Sequence, residues 1–78
     1  MKTGKNYVDV WVQHDVDFET IYDVYVAWEY DPHGGNEVTP YWFDCWVEDY
    51  PGFADDELKA KIDAELKKMD IDFIMKTD

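Results

Sequence analysis

The chain has 78 residues, enough for one small hydrophobic core and a single domain over 1–78. Nineteen Asp and Glu stand against seven Lys, with no Arg and no Ser, for a formal charge of −12. That balance argues against direct nucleic-acid binding and rules out a Ser-His-Asp triad, while four Trp, six Tyr and four Phe argue against a disordered acidic tail.

Tyr7 to His14 alternates. Val8, Val10 and Val12 point one way, and Tyr7, Asp9, Trp11 and Gln13 the other, so a half-buried strand is predicted. Asp15 to Thr20 is acidic and reads either as a connection or as a bulged continuation of a strand. Ile21 to Tyr30 alternates again, with Tyr22, Val24, Val26, Trp28 and Tyr30 opposite Asp23, Tyr25, Ala27 and Glu29. The run Asp31-Pro-His-Gly-Gly-Asn36 is the strongest turn signal in the chain.

A third strand is predicted over Glu37–Glu48, with Tyr41, Phe43, Cys45 and Val47 opposing Trp42, Asp44, Trp46 and Glu48. Pro40 near its start favours an edge or a bulge. After the break at Tyr50-Pro-Gly-Phe53, Asp55, Asp56 and Glu57 suit a helix N-terminus. Leu58, Ile62, Leu66 and Met69 then recur at helical spacing, and Asp63 and Lys67 are spaced to pair on the polar face. A short strand over Ile71–Lys76 is expected to return to the sheet. The predicted fold is α+β: a small antiparallel sheet of a three-strand meander plus a short C-terminal strand, with one helix on one face, in the order β-β-β-α-β.

One helix covers one sheet face. The more apolar set, containing Val8, Val10, Val12, Tyr22, Val24, Val26, Trp28, Tyr41, Phe43, Cys45 and Val47, is assigned to the core. The opposite face then carries Asp9, Asp23, Glu29, Asp44 and Glu48, interleaved with Trp11, Tyr25, Trp42 and Trp46. These nine residues are the predicted partner-binding set. Asp15, Asp17, Glu19, Asp31, Glu37 and Asp49 extend the acidic array as secondary contacts. From Asn6 to Leu58 there is no cation and there are fourteen acids. A field of one sign costs stability, and a cationic partner is the gain that offsets it. Acidity also serves solubility and halophilic adaptation, so both stand as competing readings.

The remaining chemistry is sparse. His14, His33 and Cys45 are the only soft or borderline metal ligands, and a meander puts the two histidines at opposite ends of the second strand. Asp15-Val-Asp-Phe-Glu19 lacks the Gly and distal Glu of a calcium loop. Gly34-Gly35 lacks the helix and Lys of a phosphate loop. No catalytic residue, metal or cofactor is assigned.

In size, charge and absence of motifs the chain is similar to small phage and mobile-element proteins that block CRISPR effectors, restriction enzymes or other DNA-binding proteins. That resemblance implies a non-enzymatic DNA mimic of the anti-CRISPR or anti-restriction type, whose partner is a basic nucleic-acid-binding protein. The alternative is an acidic adaptor that binds a host protein through its aromatic sheet face. A single cysteine and no apolar run of signal or membrane-spanning type set the expectation of a cytoplasmic protein, monomeric or homodimeric, without membrane or direct nucleic-acid contact.

Overall fold

The computed structural model describes residues 1–76. Strands β1 (Lys2–Asp15), β2 (Phe18–Asp31) and β3 (Trp42–Asp49) are followed by helices α1 (Asp56–Leu66) and α2 (Ile71–Ile74). The sheet is an antiparallel meander in the order β1-β2-β3. This is the predicted α+β arrangement, except at its C-terminal end.

The period-two pattern sets the register. Val8 stands opposite Val24, Asn6 opposite Val26 and Gly4 opposite Trp28, which gathers the apolar residues of both strands on one face. Val8, Val10, Val12, Val24, Val26, Trp28 and Cys45 are buried there with Ile62, Leu66 and Ile74 from the helices. Tyr22, Tyr30, Phe43 and Val47 pack around them. Each fully buried valine contributes about 1.5–3 kcal/mol relative to exposure.

The strands of the hairpin are longer than predicted. β1 begins at Lys2, not Tyr7, because Lys2–Asn6 finds partners in Val26–Tyr30. The acidic connection shrinks to a turn at Val16-Asp17, and Phe18 already belongs to β2. Gln13 Nε2 donates to the carbonyls of Asp15 and Val16 at 2.9 and 3.1 Å, and Val16 N donates to Asp15 Oδ1 at 2.7 Å. A register shift between Gln13 and Asp15 marks a bulge where the turn meets the strands.

β3 is shorter than predicted: it starts at Trp42, not Glu37. Asn36 closes a tight loop in place of the missing strand. Its Oδ1 accepts from Val38 N and Thr39 N, both at 2.9 Å, and its N–H donates to Thr39 O at 2.7 Å. Gly35 lies so close to this loop that a Cβ would come within 2.5 Å of Pro40 C and Tyr41 N. Pro40 therefore sits outside the sheet rather than at a strand edge.

Helix α1 is capped as its sequence implies. Asp55 is extended at φ −89°, and its side chain accepts from Leu58 N at 2.8 Å. Ile62 and Leu66 are buried, flanked by half-buried Leu58 and Met69. The polar face differs from expectation. Lys61 pairs with Glu57 and Lys68 with Glu65, whereas Lys67 leaves Asp63 and reaches β3. Asp63 instead accepts from Tyr50 Oη at 2.6 Å, and Lys59 lies 5.4 Å from the centre of the Tyr50 ring.

The expected fourth strand over Ile71–Lys76 is absent. Asp70 caps a helical turn instead, accepting from Asp72 N at 2.8 Å. This turn drives Ile74 into the core, and Asn6 Nδ2 donates to Ile74 O at 2.7 Å. The apolar run Ile71, Phe73, Ile74, Met75 does not alternate, so helical spacing buries Ile74 where a strand would divide the run between two faces. Among the described residues no helix is long and apolar enough to cross a membrane.

Two expected outcomes follow from the packing. A Cβ at Gly4 would fall inside the Trp28 indole, 2.7 Å from Cε2, so Gly4→Ala should lose about 1–3 kcal/mol in urea denaturation. Tyr50 has its hydroxyl pushed up from 10 to about 12, first by burial and then by its bond to Asp63 and the charge of that carboxylate. The stability linked to its neutral form is complete below pH 10 and is lost as pH rises through about 12. Tyr50→Phe should therefore flatten the alkaline fall in stability over that window.

Candidate functional site: an acidic and aromatic sheet face

The helices pack on one side of the sheet and leave the other open. Strand parity puts Asp9 and Trp11 of β1, Asp23, Tyr25 and Glu29 of β2, and Trp42, Asp44 and Trp46 of β3 on that open side. Glu48 is the extra residue where the β2–β3 register shifts between Tyr25 and Val26, and it accepts from Trp46 Nε1 at 2.9 Å. The nine predicted partner-binding residues thus share one surface.

Aromatic exposure is substantial: 57% for Trp11, 39% for Trp42 and 40% for Trp46. Tyr25 is half-buried because Tyr7 leans on it, with ring centres 4.8 Å apart. Tyr7 and Ile21 are also exposed on this face and were not among the predicted contacts. Their odd numbers, shared with Asp9 and Asp23, were the available signal. Ala27 is only 4% exposed although it belongs to the same face, because its cross-strand neighbours are the large side chains of Lys5 and Trp46.

The secondary acids divide between the face and its ends. Glu19 and Asp49 stand opposite Gln13 and Tyr25, on the open side. Asp15 and Asp17 lie at the hairpin turn, and Asp15 is occupied in closing it. At the far end, Asp31 accepts from His33 N at 3.0 Å and Glu37 is exposed in the loop before β3.

Two pairs of carboxylate residues face each other across strands: Asp9 with Asp23, and Glu29 with Asp44. Like charges in that position repel. The second pair is partly relieved. Lys67 Nζ reaches Asp44 Oδ1 at 3.1 Å and Cys45 O at 2.7 Å, while Asp44 Oδ1 accepts from Cys45 N at 2.9 Å. These contacts also close the free edge of β3 at Cys45 to strand addition. The first pair has no such relief: among the described residues no cation lies within 4.0 Å of Asp9 or Asp23.

Charge is segregated in the fold. Residues 1–54 hold eleven acids and two lysines, a balance of −9; residues 55–76 hold seven acids and five lysines, a balance of −2. Lys5 is the one lysine of the first group on the open face, since Lys2 shares the parity of the core residues.

Other chemistry is confined. Burial pushes the Cys45 thiol up, Lys67 opposes that shift and Asp44 adds to it, so the protonated, weakly nucleophilic form is favoured. The His14 ring shares a 2.8 Å hydrogen bond between Nε2 and Tyr22 Oη. Among the described residues no three His, Cys, Asp or Glu side chains converge as a metal site requires. An open groove of ≈ 590 Å³ lies between the 34–45 segment and the helices, lined by Trp42, Phe43, Leu66 and Met69 among others.

No protein-family model, curated protein or solved structure matches the chain.

Removing one charge from the unrelieved pair should stabilise the fold. Asp23→Asn is expected to gain about 0.2–1 kcal/mol in chemical denaturation at low salt. The gain should shrink as salt is added, because the residues are exposed and screened.

Proposed function

We propose that this protein is a non-enzymatic acidic inhibitor, of the kind encoded by phages and mobile elements, that occupies the basic nucleic-acid-binding groove of a larger protein as a DNA mimic. Its setting would be the cytoplasm of the host cell, in the manner of anti-CRISPR or anti-restriction proteins. The observation that carries this reading is the uncovered sheet face, whose strands contribute many acids and a single lysine, Lys5, and where, among the described residues, Asp44 alone of the nine predicted partner-binding residues pairs with a cation. Such a face repels a second copy of itself and attracts a positive groove.

Charge density indicates how the mimicry would work. The molecule is 40 Å long with a net charge of −12. A duplex of that length carries about 24 phosphate charges, at one per 1.7 Å of axis. The protein offers half as many net charges. Carboxylates would steer association, and the aromatic residues between them would supply the holding contacts that charge alone does not. Trp11, Trp42 and Trp46 fill that role, with Asp9, Asp23, Glu29 and Glu48 as the steering groups.

The exposure of those tryptophans also favours a second reading, in which the face docks an adaptor partner without entering a nucleic-acid site. Salt and competing DNA separate the two. A native partner captured on the immobilised protein should be released by moderate salt and displaced by duplex DNA, with retention falling in the Asp9→Asn, Glu29→Gln variant. A partner that holds through high salt, ignores duplex DNA and is lost instead on Trp46→Ala would replace the mimic with the adaptor.

A further inference from the structure

Across the open face, successive cross-strand rungs differ in character. From the hairpin turn, Gln13–Glu19 is polar, Trp11–Ile21 apolar and Asp9–Asp23 acidic, and Tyr7–Tyr25–Asp49 joins two rings to a carboxylate. Lys5–Ala27–Trp46, Glu29–Asp44 and Asp31–Trp42 follow. Successive rungs of one face are two residues apart, about 6.6–6.8 Å. The Asp9–Asp23 rung is therefore a pair of carboxylates between an apolar rung bearing Trp11 and a rung bearing two tyrosines, whose rings meet at 44° with centres 4.8 Å apart. Asp9, Asp23, Tyr7 and Tyr25, with Phe73, line an open groove of ≈ 540 Å³. Lys5 and Lys76 line the same groove, and neither pairs with the two carboxylates.

This arrangement discriminates between cations. Facing residues on adjacent strands have Cβ atoms about 4.5–5.5 Å apart, so Asp9 and Asp23 offer acceptors to one planar donor group at once. A guanidinium has a fork of donors to span both carboxylates and a flat face to lay against one of the Tyr7 and Tyr25 rings. An ammonium is a compact, strongly hydrated point charge; it can neutralise the pair but has no plane to stack. A second copy of this chain is a poor occupant, since it would bring the same negative face and has no arginine.

Resting on the reading of the open face as the docking surface for a basic partner, we propose that this face selects arginine over lysine, with the Asp9–Asp23 rung as the principal seat for a partner arginine. The seat needs no nucleic-acid groove behind that arginine; it needs a guanidinium presented on an accessible surface.

Calorimetric titration of the full chain with two peptides of equal length and charge, one bearing arginines and the other lysines, tests this directly. The arginine peptide should bind about fivefold or more tightly, the range a stacked and bidentate contact adds over a point charge. The Asp9→Asn, Asp23→Asn variant, which relieves repulsion and so keeps its fold, should bring the two peptides to parity. Glu37→Gln, in the loop before β3, should weaken both alike and preserve the preference. Equal affinities for the unaltered protein, or a preference that survives the double substitution, would overturn the seat. An arginine preference that persists while the native partner resists displacement by DNA would remove the groove reading and leave the seat standing. Peptide parity with a DNA-displaceable partner would do the reverse.

Discussion

A three-stranded sheet has two faces, and α1 and α2 cover one of them. Every other property of the molecule follows from how the chain treats the second. Its valines are spent on the covered side: Val8, Val10 and Val12 from β1 meet Val24 and Val26 from β2 and the buried Ile62, Leu66 and Ile74 of the helices. Because the side-chain period is two, each core residue fixes its neighbour as solvent-facing. A slip of one residue would bury Asp9 and Asp23 and expose the valines, so the hydrophobic pattern specifies the register strongly. The acidic face is thus held in position by the core behind it. It loses some stability to Asp9 facing Asp23.

The sheet's two long edges and two ends are handled differently. At β3, Lys67 and Asp44 satisfy the outward backbone groups of Cys45. This ties a cation from the helical, nearly neutral half of the chain to the acidic half. At β1, the anchor is Asn6, which donates to the carbonyl of Ile74 and so docks α2. Trp28 is the bracket between the strands. Its indole lies over Gly4 on β1 and stands opposite Cys45 on β3. Its Nε1 is buried without a hydrogen-bond partner, a cost the molecule accepts for a ring large enough to close the end of a small core.

Much of this was legible in the residues. Alternation over Tyr7–His14 and Ile21–Tyr30 separated core from open face correctly, and the Asp55 cap and the Leu58, Ile62, Leu66 spacing located α1. Strand ends were less legible, for a physical reason. Lys2–Asn6 carries little apolar signal, and it becomes strand only because Val26–Tyr30 offers it a ladder. Glu37–Tyr41 has strand-like residues, but Asn36 and Gly35 fold that segment into a loop before pairing can begin. The C-terminal strand failed because a local cap, Asp70 accepting from Asp72 N, combines with a tertiary demand, the burial of Ile74 in the core. Within the candidate site, the shared face was readable from parity. The cross-strand pairing of Asp9 with Asp23, and the capture of Asp44 by Lys67, required the register.

That register turns a statement about composition into one about chemistry. A charge of −12 spread over a small surface would attract any cation weakly and equally. Here the carboxylates stand at fixed register positions, and aromatic rings stand beside them on the same or the next rung. The surface therefore has both a sign and a shape. Under the proposed function, its sign sets how fast a basic partner arrives, and salt screens that contribution. Its shape sets which cationic side chain stays, and screening acts much less on stacking and bidentate bonding than on distant charge. A chain with no arginine of its own and one lysine on the strands of this face leaves both proposed functions to be completed from outside. For that reason the partner's side-chain chemistry is more sharply constrained by this fold than the partner's identity.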